Sequence, residues 1–326
     1  MKDRFERNID YMRLSITDRC NLRCKYCMPN GIRKVPMEDI LTFEEILEIA
    51  QAAAWLGITR FKVTGGEPLV RRGAVDFTGR LKRIPGVSDV TMTTNGILLA
   101  DNIKALAQAG LSAVNISLDT LNRERFIDIT GKDGLTDVLH GIDAAVEHGL
   151  KVKVNTVLQR GKNDDEWEDI IRLSENRPID VRFIELMPIG EAKDLKGADN
   201  TRLKDRICQK YHGVEEDDTV HGNGPAKYVK IPGFLGSIGF ISALHGKFCS
   251  SCNRLRLTST GELKPCLCFS DAVDLRMILR QAGAAEDKGA LLKAGIMRAV
   301  DMKPQGHCFD SPQQITEKNR MSKIGG

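Results

Sequence analysis

The chain has 326 residues, of which 41% are hydrophobic, 28% charged and 5% aromatic, with a net charge of +4. This is the balance of an ordinary globular protein, and it excludes a disordered or collagen-like chain. The small positive excess suits an anionic small molecule and falls short of the basic footprint of a nucleic-acid binder. The opening residues, MKDRFERNIDYM, contain no apolar secretory segment, and no apolar run reaches the roughly 18 residues of a membrane span. A cytoplasmic protein without membrane or nucleic-acid partners is expected.

In chain order, the first two-thirds alternate strand and helix. DYMRLSIT reads as a strand, and TFEEILEIAQAAAWLG as a helix opened by a Thr42/Glu45 capping box and stopped at Gly57. Strand ITRFKVTGG follows, then a helix over 74–84, strand SDVTMTTNG, helix ADNIKALAQAG and strand LSAVNISLD. Helix GLTDVLHGIDAAVEHG, strand KVKVNTVLQ, helix DDEWEDIIRLSENR and strand IDVRFIELMP complete the series. Six strands separated by helices predict an α/β fold with a parallel sheet and right-handed crossovers. Six are too few for a closed eight-stranded barrel, which leaves a partial barrel or a doubly wound open sheet.

Parallel strands buried on both faces read as continuous apolar runs, and these do not. Arg13, Ser15 and Thr17 alternate with Met12, Leu14 and Ile16; Lys62 and Thr64 with Phe61 and Val63. Thr91, Thr93 and Asn95 share a face, as do Asn115, Ser117 and Asp119, and Lys151, Lys153 and Asn155. Each strand thus has one apolar face for the helices and one polar face, and unpaired charge is too costly for a dry core. The polar faces predict a wide, open, partial barrel around a polar ligand. An antiparallel sheet with one wet face is the alternative, which the intervening helices disfavour. After about residue 190 the alternation stops: a loop leads to a short helix, and from about 220 the chain becomes Gly-rich and strand-like, ending MSKIGG. Two domains are expected: a core over 1–220 and a smaller β-rich domain over 221–326.

Nine cysteines in such a chain point to metal or redox chemistry rather than disulfides. In TDRCNLRCKYCMPNG, Cys20, Cys24 and Cys27 have the spacing C-x3-C-x2-C. Structural zinc takes four protein ligands, whereas three thiolates suit three irons of a cubane cluster with its fourth iron open. Cys249, Cys252 and Cys266 form a second group, C-x2-C-x13-C, with Cys268 two residues on; read alone, this could be a four-cysteine zinc knuckle. Cys208 and Cys308 have no partner spacing and receive no role. His307 is a ligand or, more in keeping with an isolated histidine, a structural hydrogen-bonding group.

The first cysteine loop, with Tyr26 before its last cysteine and the TGGEP segment at 64–68, resembles the signature of radical S-adenosylmethionine (SAM) enzymes. The segments FCSSCNRLRL and GELKPCL, together with YMRLSITDRCNLRCKYCMP, FKVTGGEPLVRRG, TMTTNGILL, VNISLDTL, RFIELMPIG and the terminal Gly-Gly, resemble the GTP 3′,8-cyclases of molybdenum cofactor biosynthesis within that family, nearly end to end. The resemblance implies a partial (βα)6 TIM-like barrel with a smaller β-rich C-terminal domain. It implies two [4Fe-4S] clusters, one on Cys20, Cys24 and Cys27 that binds SAM, and one on Cys249, Cys252 and Cys266 that faces GTP. Cys268 departs from the three-ligand pattern and is expected not to ligate.

The resemblance assigns SAM contacts to Tyr26, Gly66, Ser117 and Met187. It assigns GTP contacts to Arg13, Lys62, Thr93, Lys153, Arg254, Leu255 (through its backbone) and Arg256. Lys62 stands where some relatives have Arg, which would exchange a bidentate fork for a point charge. The implied reaction takes hydrogen from ribose C3′ of GTP with a 5′-deoxyadenosyl radical, joins C3′ to purine C8 and yields 3′,8-cyclo-7,8-dihydro-GTP. Implied partners are a reductant such as flavodoxin or ferredoxin, cyclic pyranopterin monophosphate synthase as the next enzyme, and a second copy in a homodimer. The tail Gly325-Gly326 is expected to reach the active site. Two other readings stand beside this one: a radical SAM peptide-modifying maturase with an auxiliary cluster, and a non-catalytic zinc-dependent nucleic-acid-binding protein.

Overall fold

The computed structural model describes residues 1–31, 35–281 and 287–324. The Gly325-Gly326 tail lies outside them. The first half follows the expected alternation: β1 (Tyr11–Ser15), α1 (Phe43–Trp55), β2 (Arg60–Thr64), α2 (Ala74–Lys82), β3 (Asp89–Thr94), α3 (Leu99–Gln108) and β4 (Ala113–Ser117). Then come α4 (Arg123–Thr130), α5 (Leu135–Glu147), β5 (Lys151–Thr156), α6 (Trp167–Ile171) and β6 (Ile179–Ile184). The remainder holds α7 (Asn200–Lys210), β7 (Glu215–Asp217), β8 (Lys227–Lys230), β9 (Ile238–Ile241), β10 (Arg254–Leu257), β11 (Glu262–Lys264), β12 (Val273–Asp274), α8 (Leu275–Gln281) and α9 (Lys288–Asp301).

Strands β1 to β6 lie side by side in sequence order and all run parallel. The later segment extends this sheet at both edges. β10 joins β1 in parallel, and β9 joins β6 in parallel. Antiparallel β11–β12 and β8–β7 finish the two ends, giving a twelve-stranded order β12-β11-β10-β1-β2-β3-β4-β5-β6-β9-β8-β7. No pairing joins β9 to β10 among the described residues, so the parallel sheet of eight strands stays open.

The apolar strand face behaves as its periodicity requires. Met12, Leu14, Phe61, Val63, Val90, Met92, Val114, Ile116, Val154 and Val181 are fully buried, in one cluster with Ile46 and Ile49 of α1, Phe77 of α2, Leu106 of α3 and Ile142 of α5. The Thr42/Glu45 capping box is present in both directions, at 2.7 and 3.1 Å. Gly57 then leaves the helix at φ +94°, a left-handed value that L side chains resist. Helix α4 was not foreseen, although its signals are in the sequence: Asn122 caps its start and Gly131, at φ +72°, ends it. The helix expected over DDEWEDIIRLSENR shortens to α6 plus one 3-10 turn; just before it, the Glu166 carboxylate accepts from the Thr120 hydroxyl and the Leu121 N–H. No helix among the described residues is long and apolar enough to cross a membrane.

Beyond α9 the chain forms a strap, residues 303–324, that meets segments from the early, middle and late parts of the chain. Lys303 Nζ donates to the Arg254 and Pro265 carbonyls at 2.8 and 2.9 Å, and the fully buried pair Lys264–Glu317 pins its middle at 2.6 Å. Near its end, Arg320 pairs with Glu191 at 2.7 Å and donates to the Gly31 carbonyl at 3.0 Å.

Two substitutions separate a local from a global contribution to this fold. A Cβ on Gly236 would lie 1.8 Å from the Ile179 carbonyl oxygen, at the joint where β9 docks on β6. Gly236→Ala should therefore cost about 3 kcal/mol or more, since only backbone can yield. Thr42→Ala removes one helix cap and should cost about 1 kcal/mol. Urea unfolding midpoints of the two variants should fall in that order.

Candidate active site: a cationic cavity and two cysteine triads

The first cysteine loop leaves the C-terminal end of β1 and is held by its neighbours. The Gly66 N–H donates to the Thr17 carbonyl and the Glu67 N–H to the Arg19 carbonyl, both at 2.8 Å. A Cβ on Gly66 would sit 2.3 Å from the Arg19 carbonyl oxygen, so this close approach requires glycine. Buried Glu67 fastens the turn to β3: its carboxylate accepts from the Leu69 N–H (3.1 Å), the Thr94 hydroxyl (2.8 Å) and the Asn95 N–H (2.6 Å). Burial holds its carboxyl up, at about 7. Asn95 in turn bonds Asn21 at 2.7 Å and points Nδ2 at Cys20 Sγ, 3.8 Å away. The GGEP motif is thus a brace for the cysteine loop as well as a candidate cofactor contact.

Burial raises the thiols of Cys20, Cys24 and Cys27, the last to about 11, and each is also raised by neighbouring negative groups. N–H groups already point at the sulfurs. Leu22 N–H donates to Cys20 Sγ at 3.4 Å, and Ser322 of the strap donates to Cys27. The second triad is built alike: the His307 N–H donates to Cys249 Sγ at 3.3 Å and the Cys268 N–H to Cys266 Sγ at 3.5 Å. Arg7 holds the Cys249 carbonyl at 2.9 Å and the strap carbonyl of Pro304 at 2.7 Å. Burial pushes Cys252 up, but the charges of Arg254 and Lys303 outweigh it and bring the thiol down to about 6.

Among the described residues, the one trio of such side chains with all ligand atoms within 4.8 Å of one another is Glu185, Asp199 and His245. Three thiolates without a fourth protein ligand fall one short of a structural zinc site. The Glu185 trio is a joint in the fold: its carboxylate already accepts the N–H groups of Leu244, His245 and Asn200.

The polar strand faces line a cavity of about 1020 Å³. Arg13, Lys62, Thr91, Thr93, Asn115, Lys153 and Arg254 all face it. The register explains why. Arg256, Arg13, Lys62 and Thr91 are directly paired neighbours across β10, β1, β2 and β3, while Thr93, Asn115, Lys153 and Asp180 are paired across β3 to β6. Arg256 stands beside Arg13 and next to the second triad. Leu255 faces the opposite way, fully buried in the apolar core, so only its backbone is available to a ligand.

These cations weaken one another. Burial, and then Arg182, Arg13 and Lys153, pull Lys62 well below the usual lysine range. Burial and Arg182 bring Lys153 to about 8. Burial also lowers Arg13 and Arg256. The Nε donors of Arg254 and Arg256 are buried with no hydrogen-bond partner among the described residues. Such a set is built to receive an anion.

Arg182 is a buried cavity cation that sequence reasoning missed. It lies on β6 with Nε bonded to Asn155 at 2.9 Å. Extending the period-2 reading to IDVRFI would have placed it, with Asp180, on the polar face. A second unforeseen part is the segment 217–226 at the N-terminal end of the barrel. His221 is held between Asp180 (2.8 Å) and Asp217 (2.9 Å), and its carbonyl accepts from Lys153 Nζ.

The remaining expected residues sit at or beyond the C-terminal ends of the parallel strands. Tyr26 is half-buried and donates its hydroxyl to Asp119 at 2.8 Å; burial holds the Asp119 carboxyl up, at about 6. Ser117 ends β4, and Met187 follows β6. His307 stacks on Phe309 with ring centroids 4.3 Å apart. Cys208 is exposed on α7. Cys268 is buried and turned onto Cys308, a pairing that spacing did not reveal.

Comparison with known proteins agrees with this layout. Residues 14–174 match the radical SAM superfamily model, and residues 179–309 match the molybdenum cofactor synthesis C model. GTP 3′,8-cyclases from Moorella thermoacetica and Clostridium perfringens (strain SM101) are 46% and 43% identical, each aligned over the whole of both chains. In fold, the chain resembles Streptococcus suis SuiB, with a TM-score of 0.63 at 13% identity, over 96% of this chain and 76% of that one. The S-adenosylmethionine-bound form of SuiB gives 0.60 at 15% identity over 80% of this chain and 61% of that one. On full-length identity and both domain models, the chain belongs to the radical SAM superfamily and, within it, to the GTP 3′,8-cyclase family.

Proposed function

We infer that the chain converts GTP to 3′,8-cyclo-7,8-dihydro-GTP, the first step of molybdenum cofactor biosynthesis. The observation that carries this reading is the crowd of buried and half-buried cations around a polar cavity, in a chain that also carries two cysteine triads. Cys20, Cys24 and Cys27 would hold a [4Fe-4S] cluster to which SAM binds, and Cys249, Cys252 and Cys266 a second cluster. When bound, the first cluster and SAM supply a 5′-deoxyadenosyl radical able to take hydrogen from ribose C3′.

The chain's own part is positioning. Arg13, Lys62, Lys153 and Arg182 would bind the triphosphate, whose charge offsets their repulsion. Arg254, Arg256 and the Leu255 backbone would hold the nucleoside beside the second triad. Tyr26, Gly66, Ser117 and Met187 would line the SAM pocket, with Tyr26 fixed by Asp119. Thr93, on the wall of the same cavity, would meet the ribose. Fixing both reactants replaces a chance encounter with an oriented one and keeps the radical from quenching elsewhere. The same reading assigns SAM chemistry to residues 1–220 and the second cluster to 221–326. It includes a cytoplasmic location, a flavodoxin- or ferredoxin-like reductant, a homodimer, and delivery of product to cyclic pyranopterin monophosphate synthase.

The decisive experiment is anaerobic incubation of the reduced protein with SAM and GTP. 5′-Deoxyadenosine and a cyclised nucleotide should appear together. SAM cleavage only with a peptide would replace GTP as substrate, and zinc without iron would remove the radical chemistry. The intact protein should carry about eight irons. Gly66→Ala, which pushes on the Arg19 carbonyl, should lower that to about four by emptying the first triad.

Arg182→Ala should raise KM for GTP roughly ten- to a hundredfold, the worth of one charged hydrogen bond. With Lys153 at about 8, its charge is present below that pH and lost above it. KM for GTP should therefore rise between pH 7 and 9, and Lys153→Arg should flatten that rise.

A further inference from the structure

Cys268 and Cys308 lie outside both triads and take no part in the activity above. They are 40 residues apart in sequence, yet their Sγ atoms are 3.0 Å apart. That is inside the roughly 3.5–4.0 Å at which non-bonded heavy atoms rest. The Cys308 N–H also donates to Cys268 Sγ, at 3.3 Å. Both lie in a small apolar cluster with Ile189, Ala243, Leu267, Phe309 and Ile324. Thiols make only weak hydrogen bonds, so packing alone gives little reason to seat two of them face to face. Closing the gap to a bond of about 2.05 Å needs a shift of about 1 Å.

The two cysteines belong to different segments of the fold. Cys268 is on the turn between β11 and β12, two residues after Cys266. Cys308 is on the strap, next to His307, whose N–H meets Cys249. The same strap reaches Cys27 through Ser322 and Gly31 through Arg320. A covalent link at this point would tie the strap to the turn that carries a residue of the second triad.

We propose that Cys268 and Cys308 are a thiol–disulfide pair that locks the strap against the β11–β12 turn. The oxidant class is a low-molecular-weight disulfide. Cys308, 8% exposed where Cys268 is fully buried, attacks first: its sulfur bonds to one sulfur of the reagent and the other leaves as a thiol. The Cys268 sulfur then displaces the second reagent sulfur. Two protein thiols are oxidised, one reagent disulfide is reduced to two thiols, and the two protein protons pass to the departing sulfurs. The reverse exchange with excess thiol opens the lock. This rests on the geometry of the pair and not on GTP as substrate, so the activity assay and the following test can fail separately.

The test is to equilibrate the anaerobic, cluster-loaded protein in glutathione buffers of graded ratio, quench in acid, alkylate and read the peptides by mass spectrometry. Cys268 and Cys308 should lose alkylation together and appear as one linked peptide, while iron content stays constant. Amide hydrogen exchange over 303–317 should slow in the oxidised form. Cys308→Ser should abolish the linked peptide, leave Cys268 open to alkylation and leave iron unchanged; the wild-type titration stands alone should that variant not fold. Independent modification of the two thiols, a persistent glutathione adduct on Cys308 with Cys268 free, or loss of iron in step with Cys268 would each overturn the proposal. The last result would make Cys268 a cluster ligand.

Discussion

Mutual repulsion among buried cations governs the interior of this protein. Arg13, Lys62, Lys153, Arg182 and Arg254 surround one cavity, with Arg256 adjoining it; Arg13 and Lys62 are half-buried and the other four buried, which weakens the solvent screening between them. A closed, dry barrel could not contain them. The sheet instead stays open and its interior polar, and the interior's stability is linked to occupancy. A polyanion that enters replaces repulsion with paired hydrogen bonds, so ligand and fold stabilise each other. The acidic groups near the N-terminal end, Asp89 and Asp180, moderate Lys153 without cancelling the excess.

The same constraint gives the later part of the chain its role. β9 and β10 do not form a sheet of their own; they lengthen the parallel sheet at its two edges. β10 thereby brings Arg254 and Arg256 into line with Tyr11 and Arg13 and sets the second triad beside the same cavity. The strap then crosses from Cys249 to Cys27, so one short segment touches both candidate metal sites.

Much of this was legible in the sequence because two periodic signals coincide. Alternation along β1 to β5 separates the helix-facing residues from the cavity-facing ones, and the register keeps Arg13, Lys62 and Thr91 abreast. The cysteine spacings and GGEP carry their own chemistry. What escaped was non-local. Pairing of β10 with β1 leaves no local mark, since both strands read the same with or without that neighbour. The Cys268–Cys308 contact depends on where the strap lies, which spacing cannot give. Arg182 was legible and missed, because the polar face was not followed into β6. The 217–226 segment has turn-like composition, and only the fold brings its His221 carbonyl to Lys153.

The pairing of Tyr11 with Arg254 has a consequence for how the chain reaches this state. Until β10 has been synthesised, β1 presents an unpaired edge of backbone donors and acceptors. Contacts so distant in sequence are slow to form, and a waiting edge can pair with another chain. Concentration during biosynthesis, more than the strength of the finished fold, would then limit the yield of native protein.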